Sequence, residues 1–322
     1  MVSAGGDIAT SVVRERPQPE VRRSPTERVV RESASRRTLY GLGSWRLTQL
    51  ISRSQKITIY RARPRRETIG LGCYLIKAAT AGQQEASLAK SLLYREAQVA
   101  ATVASPHVSV VLATNWNSAY PHLARPYLDG VSLRQLLNRT SCRTQSLPSS
   151  LPIEFALAMA RQVASGLAAL HAEGWLHSQV RPEHVMISPQ GHATLIDLTL
   201  ARRLDGRECE SEGACSEVPR YASPEAFAPH ARLTAAADIY SLGLVLYETL
   251  TGQPPFPETD LKRLITCHRC SAPPEVRQLC PLASRDVSEL LRRMLAKEPL
   301  RRPTAEQAVR WLAELEIEEL CV

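Results

Sequence analysis

The most informative segment of the chain is residues 176–201, which read LHSQVRPEHVMISPQGHATLIDLTLA. It sets polar and titratable residues between short apolar runs, in two parts, LHSQVRPEHVMI (176–187) and IDLTLA (196–201). Three more segments follow, namely YASPE (221–225), ADIYSLGLVLYETLTGQPPF (237–256) and LRRPT (300–304). Each segment alone is a weak signal, so the interpretation depends on the order and spacing of all five.

The chain before this segment has the pattern of several strands around one helix. Alternating or β-branched runs, which predict strands, lie at 45–52, 56–64, 69–80, 108–113 and 122–127. An apolar period of helical type covers residues 83–104. We therefore predict a small lobe over residues 44–125, made of a sheet with one main helix.

After this lobe the pattern is mostly helical. Pro152 suits the first turn of a helix that ends at Gly174. Residues 236–251 are apolar on nearly all sides, which predicts a helix buried in a core. Two amphipathic helices separated by a turn at 299–303 follow. The predicted fold class is α+β, with a larger, mostly helical lobe over residues 126–318.

Residues 1–43 differ from the rest of the chain in composition. They are rich in Arg, Glu, Ser and Pro and have no hydrophobic period, so they bury too little apolar surface to offset chain entropy. We predict a disordered tail whose removal leaves the thermal stability unchanged. Ser24 and Ser33 are candidate phosphorylation sites, as any exposed serine in such a tail would be.

The composition is that of an ordinary globular protein, with 44% hydrophobic and 22% charged residues. The net charge of +8 is mostly arginine spread along the chain, and only 5% of the residues are aromatic. This pattern does not favour nucleic-acid binding. We expect no membrane span, since no run of about twenty apolar residues occurs, and no signal peptide. Eight cysteines without regular spacing favour reduced thiols and a cytoplasmic location.

One cysteine motif, Cys267-x-x-Cys270 with Cys280 nearby, invites a metal interpretation. Zinc requires four ligands and no second such motif follows. We therefore interpret this region as a solvated or packed loop, with metal binding as the minor alternative.

The five segments together resemble the protein kinase family. LHSQVRPEHVMI is similar to the catalytic loop, IDLTLA to the metal-binding Asp-Phe-Gly, YASPE to the Ala-Pro-Glu that ends the activation segment, and residues 237–256 to the large buried helix. In LRRPT, Arg302 matches the arginine that pairs with the closing glutamate, here Glu225. The resemblance extends from about residue 45 to 316, and the Gly-Gln-Pro-Pro-Phe after the buried helix is most like bacterial Ser/Thr kinases. It implies a bilobal protein kinase fold.

The resemblance assigns several retained residues to roles. Lys77 matches the strand lysine, Glu96 its helix partner and Asp197 the metal-binding aspartate, so these three imply a site for nucleotide and Mg²⁺. The alternative for Lys77 and Glu96 is an unrelated pair of surface charges. Four other matches support the fold rather than the chemistry, and they are His177, Glu225, Asp238 and Arg302.

The phosphate-covering loop departs from the family pattern. Its three glycine positions align with Ser52, Ser54 and Ile57. Glycines there let backbone N–H groups approach phosphates without a side-chain clash. We therefore expect poor coverage of phosphates.

The catalytic loop departs further. Gln179 stands at the position of the catalytic base, and a neutral amide cannot accept the proton of the acceptor hydroxyl. Arg181 takes the place of the loop lysine and can still neutralise phosphate charge. His184 stands at the second-metal position, where an imidazole suits Mg²⁺ poorly. Glu183, the nearby carboxylate in the loop, points away from the acceptor in the family pattern.

Three other positions fit this interpretation. Ser178 replaces the arginine that reads a phosphorylated activation segment, and Val218 replaces a threonine that hydrogen-bonds the catalytic aspartate. Arg125 falls at the gatekeeper position, where its side chain either fills the back of the adenine pocket or extends outward. Pro126 removes only an N–H that adenine does not normally use.

We therefore interpret the chain as a pseudokinase that binds nucleotide, a protein partner, or both, with ATP and Mg²⁺ bound weakly or not at all. The first alternative is an active but unorthodox Ser/Thr protein kinase, and the second is another nucleotidyl or phosphoryl transfer by the same fold. The partner, the substrate and the pathway do not follow from the residues.

Overall fold

The computed structural model of the chain describes residues 41–80, 83–141, 150–205, 219–228 and 232–320. The predictions for residues 1–40, including Ser24 and Ser33, and for Val218 lie outside the described residues. The described strands are β1 (Gly41–Leu42), β2 (Trp45–Arg53), β3 (Ile57–Pro64), β4 (Tyr74–Ala79), β5 (Ala113–Asn115), β6 (His122–Pro126), β7 (Val131–Ser132), β8 (Trp175–Leu176), β9 (Val185–Ile187), β10 (Ala193–Leu195) and β11 (Arg202–Arg203). The described helices are α1 (Gln83–Thr102), α2 (Leu133–Ser141), α3 (Ile153–Ala172), α4 (Ala235–Thr251), α5 (Leu261–Cys270), α6 (Val276–Leu279), α7 (Arg285–Met294) and α8 (Ala305–Leu320).

The small lobe is a six-stranded sheet in the order β1-β2-β3-β4-β6-β5, with α1 packed against it. Every neighbouring pair of strands is antiparallel. Because side chains alternate across a strand, β4 sends Ile76 and Ala78 into one apolar cluster and leaves Lys77 on the other face. The register sets Lys77 opposite Ile59 and Leu123, on the side that faces the large lobe.

The large lobe is helical and has its core around α3 and α4. Of the seventeen residues of α4, fifteen are buried, which agrees with its apolar pattern on all sides. Gly252 ends the helix with φ 74°, a left-handed conformation that favours glycine. Helix α3 is long and apolar enough to cross a membrane, but it packs on α4 and α8, so we interpret it as a core helix.

The predicted α+β class, with a sheet-rich small lobe and a helical large lobe, is confirmed. One predicted strand is misplaced, because residues 108–112 form no strand and β5 begins at Ala113. Instead Val108 makes an isolated bridge to Leu195 of the large lobe, and the Ser109 N–H donates to the Leu195 carbonyl at 2.9 Å. The backbone partner of this segment therefore lies outside the small sheet.

The cysteine motif also differs from its prediction. Cys267 and Cys270 lie in the last turns of α5 and not in a loop. His268 between them is buried and contacts the rings of Tyr240 and Phe256. Asp260 caps the start of this helix by accepting the N–H of Arg263, which stabilises its first turn.

The predicted tail extends too far, since its last residues belong to the sheet. Gly41 and Leu42 form β1, which pairs with Arg46 and Trp45. Leu42 also packs against the apolar cluster of the small lobe, so this residue belongs to the folded lobe.

Two truncations test this boundary. A chain that starts at Gly41 should keep the melting temperature of the full chain, because β1 is intact. A chain that starts at Ser44 should lose about 1 kcal/mol of stability, since the half-buried Leu42 is removed. Differential scanning calorimetry of both variants measures the effect. Equal melting temperatures for the two truncations would show that β1 contributes nothing.

Candidate functional site

The centre of the site is a lysine between two carboxylates. Lys77 on β4 donates from Nζ to Oε2 of Glu96 on α1 at 2.7 Å and to Oδ1 of Asp197 at 3.0 Å. Lys77 and Glu96 are buried, and Asp197 is partly buried. Burial would raise the pKa of Asp197, but the Lys77 ammonium, His184 and the Thr199 hydroxyl together hold it well below its usual range. The structure thus brings together the three residues predicted to hold nucleotide.

Asp197 is held in an uncommon conformation by its neighbours. Its φ is 68°, a left-handed value that aspartate tolerates better than most residues. The hydroxyl of Thr199 donates to Asp197 Oδ1 at 2.7 Å. The sequence interpretation missed Thr199, although it occupies the glycine position of the Asp-Phe-Gly pattern and was recognisable on that ground.

Asp238 of α4 holds the backbone of the loop at 177–184. Asp238 Oδ2 accepts the backbone N–H of His177 at 2.9 Å, and Asp238 Oδ1 accepts the backbone N–H of Ser178 at 2.8 Å. His171 of α3 contacts Oδ2 at 2.9 Å. Burial lowers the pKa of His177 to about 4, so its ring is neutral at pH 7. These contacts hold the loop in place whatever the nature of residue 179.

Glu183, the carboxylate of this loop, is bound by two arginines. Its Oε1 accepts from Arg134 Nε at 2.9 Å, and its Oε2 accepts from Arg181 Nε at 2.8 Å. Burial would raise the pKa of Glu183, but Arg181 and Arg134 lower it to about 2. Such a carboxylate is a weak base. Arg181, expected to neutralise phosphate, is itself held by Glu183.

Arg134 was not among the predicted site residues. It lies on α2 and also donates from Nη1 to Glu248 Oε1 of α4 at 2.7 Å, while Tyr221 donates to the other oxygen of Glu248. This ion-pair network joins four segments that are far apart in sequence. No local pattern could have revealed it.

In the turn between β2 and β3, a serine side chain accepts hydrogen bonds from the backbone N–H groups of the same turn. Ser54 Oγ accepts the N–H of Ile57 at 3.0 Å and that of Lys56 at 3.3 Å. A phosphate-covering loop needs such N–H groups free to meet phosphate oxygens. Ser54 therefore does more than add a side chain at a glycine position, because it also occupies the donors.

Arg125 turns inward rather than outward. Its Nη1 lies 3.4 Å from Glu96 Oε1 and 3.2 Å from Ser109 Oγ, and the residue is 4% exposed. Of the two alternatives for this gatekeeper position, the outward one is wrong. The physical reason is the buried Glu96 carboxylate, whose second oxygen is the acceptor for this cation.

The metal-binding pair is less suited to Mg²⁺ than the family pattern implies. His184 places its Nε2 3.7 Å from Asp197 Oδ2, and its Nδ1 2.9 Å from the Gln179 carbonyl oxygen. Mg²⁺ prefers oxygen ligands in near-octahedral geometry, and a ring nitrogen stands where an oxygen is required. The described residues contain no group of three or more His, Cys, Asp or Glu side chains that could hold a metal.

Two surface concavities lie away from these residues. One of about 680 Å³ lies beside α7 and includes Arg292, Arg293 and Lys297. Another of about 390 Å³ lies on the outer face of α1. Neither is lined by Lys77, Glu96 or Asp197.

The ion pair between Glu225 and Arg302 stabilises the large lobe. Arg302 donates from Nη1 and Nη2 to the two oxygens of Glu225 at 2.7 and 2.9 Å. It also donates to the backbone carbonyls of Ala236, Ala296 and Lys297. The structure therefore pairs the two predicted residues in a bidentate contact.

Comparison with known proteins gives one family. The protein kinase domain family matches residues 70–311, a range that begins after β3. A probable serine/threonine-protein kinase, pknA2, of Bifidobacterium longum is 26% identical over 86% of this chain and 36% of its own length. The serine/threonine-protein kinase PknD of Mycobacterium tuberculosis is 28% identical over 81% of this chain and 38% of its own length. The chain thus spans less than two fifths of the length of these relatives.

The Glu225–Arg302 pair gives a stability prediction. Glu225→Ala should lower the free energy of unfolding by about 3–5 kcal/mol, because it leaves a buried guanidinium without its carboxylate. The matched control is Glu298→Ala, which removes an exposed pair with Arg301 at 2.8 Å and should cost less than about 1 kcal/mol. Urea denaturation measures both variants. Similar losses would mean that the buried pair has no special role.

Proposed function

Because this chain belongs to the protein kinase domain family, we propose that it is a catalytically impaired member, a pseudokinase, that acts in signalling by binding nucleotide, a protein partner, or both. The observation that carries this proposal is that Glu183 is ion-paired with two arginines. With Gln179 at the base position, Glu183 is the remaining carboxylate of the loop, and two arginines hold it at 2.9 and 2.8 Å.

A general base must be within hydrogen-bond reach of the acceptor hydroxyl and must have proton affinity to spare. The pKa of Glu183, lowered to about 2, leaves it little affinity for a proton. Turning it toward an acceptor would also break its ion pairs with Arg134 and Arg181. Loss of a general base costs about 10²–10⁴ in rate, and no substitute stands in this loop.

Handling of phosphates is impaired at a second point. Phosphoryl transfer depends on positioning and on charge neutralisation. The N–H groups of Lys56 and Ile57 are occupied by the Ser54 hydroxyl, and Arg181 is held by Glu183. These contacts disfavour the alignment of a γ-phosphate, independently of the missing base.

The proposal includes residual nucleotide binding at Lys77. The Lys77–Glu96 pair is formed at 2.7 Å, which is the arrangement that holds the lysine near nucleotide phosphates in the family. Bound phosphates would meet Lys77, while Asp197 and His184 line the place of the metal without offering Mg²⁺ a pair of oxygen ligands. We therefore propose weak nucleotide binding with little contribution from Mg²⁺.

The competing function is an active Ser/Thr protein kinase, as the names of the relatives would suggest. The formed Lys77–Glu96 pair is the observation that favours it. Because this pair also exists without any acceptor chemistry, it does not outweigh the loss of the base. Transfer measurements decide between the two.

A phosphotransfer assay tests the catalytic part of the proposal. Single-turnover assays with radiolabelled ATP and a general protein substrate should give background incorporation for the wild type and for Gln179→Asp, since the phosphate-loop and metal-site changes persist. An active bacterial Ser/Thr kinase in the same buffer is the positive control. Robust transfer by either protein would overturn the pseudokinase proposal.

A thermal-shift assay tests the nucleotide-binding part of the proposal. Millimolar ATP should raise the melting temperature of the wild type, and Lys77→Ala should abolish this shift because the phosphate contact is lost. Lys90→Ala is the matched control, since Lys90 lies exposed on α1 and should respond like the wild type. If ATP shifts neither the wild type nor the control, the nucleotide part of the proposal is wrong.

A further inference from the structure

The gatekeeper side chain Arg125 belongs to a group of four charges in mutual contact. Its Nη1 lies 3.4 Å from Glu96 Oε1, and Lys77 Nζ donates to Glu96 Oε2 at 2.7 Å. Lys77 Nζ also donates to Asp197 Oδ1 at 3.0 Å. Two of these side chains are cations and two are anions, so their charges sum to zero. Charges taken out of water are tolerated when they are paired in this way, so this group is balanced by the protein's own residues.

Arg125 also links the small lobe to the large one. Its Nη1 lies 3.2 Å from the hydroxyl oxygen of Ser109, and the Ser109 backbone N–H donates to the Leu195 carbonyl at 2.9 Å. Leu195 ends β10, two residues before Asp197. The contacts therefore form a closed ring, which runs from Arg125 through the segment after α1 to the large lobe and returns through Asp197 and Lys77.

Helix α1 has a small apolar contact with the sheet. The buried residues of the cluster between them are Ala79, Ala89, Leu93 and Leu123. Further along the helix, Val99 packs in the core of the large lobe. Glu96 lies between these two contacts, where α1 passes from one lobe to the other. The position of α1 therefore depends strongly on the partners of Glu96.

The position of this helix matters because kinases are controlled through it. The lysine–glutamate pair must be in place for phosphoryl transfer, and a ligand moves such a helix only if it binds one position more tightly than the other. Here Glu96 has two cationic partners from the chain, one on each oxygen. A ligand then has little left to gain by drawing α1 inward.

We propose that Arg125 is a positioning residue that holds α1 in its Lys77-paired position in the nucleotide-free protein. The inference rests on the proposed function in that it describes how a binding domain of this kind is regulated. The position of α1 is set by the chain itself and does not report whether nucleotide is bound. Arg125 acts through Glu96 and Ser109 and not by touching a ligand.

Hydrogen exchange of the full chain without nucleotide, followed by mass spectrometry, tests this role. Arg125→Met removes the charge but keeps a long unbranched side chain. Amide exchange over residues 83–102 should become about tenfold faster or more, because α1 opens more often once Glu96 loses one partner. Peptides from α3 and α4, in the core of the large lobe, should exchange as in the wild type.

A conservative variant separates the charge from the packing. Arg125→Lys keeps a cation near Glu96 and should restore most of the slow exchange of α1. If Arg125→Met does not fold, Arg125→Gln takes its place, because the amide still donates to Ser109 while the charge is lost. Its expected result is the same acceleration over α1.

The matched control is Arg63→Met, the same substitution at a buried arginine of the neighbouring strand β3. Arg63 is 7% exposed, and its Nε and Nη1 have no hydrogen-bond partner among the described residues. Its removal should leave the exchange of α1 unchanged.

Three results would contradict the inference: unchanged α1 exchange in the neutral Arg125 variants, equal acceleration in Arg63→Met, or no recovery in Arg125→Lys. None of these measurements uses nucleotide or phosphotransfer. Detection of kinase activity would therefore remove the proposed function, while the exchange rates would still decide the role of Arg125.

Discussion

The carboxylate of Asp238 lies in the first turn of α4, inside the core of the large lobe, and accepts two consecutive backbone N–H groups of the loop above it. Hydrogen bonds to a charged group contribute about 1.5–3 kcal/mol each, whereas an unpaired carboxylate at 1% exposure would be costly. The loop must therefore pass over this point. Ser178 is held there at φ 65°, a conformation that costs about 1–3 kcal/mol and that the two bonds offset.

This anchor acts on the backbone and not on the side chains of the loop. It positions residues 177–184 in the same way whether residue 179 is a carboxylate or an amide. The same holds for Glu225 and Arg302, whose bidentate contact closes the activation segment. The kinase fold can thus be kept while the residues that perform phosphoryl transfer are exchanged, because the fold and the transfer reaction depend on different atoms.

The charges of the site are satisfied internally. Glu96 faces both Lys77 and Arg125, Glu183 faces two arginines, and Asp197 accepts from Lys77 and Thr199. In an efficient phosphotransferase some of these groups must be available to nucleotide, metal and acceptor. Here each is stabilised by a protein partner, which supports the proposed binding function.

The sequence by itself determined the family, the division into two lobes and the identity of the exchanged residues, because segment order, periodicity and residue type are local properties. It identified Gln179 and His184 as departures and paired Glu225 with Arg302. It did not reveal that Arg134 binds Glu183, that Ser54 occupies the turn donors, or that Arg125 turns toward Glu96. Each of these depends on which side chains meet in space, and the partners Arg134 and Glu183 are 49 residues apart. Only the tertiary structure decides such pairings, since burial leaves a charged group no partner except the one that the fold brings to it.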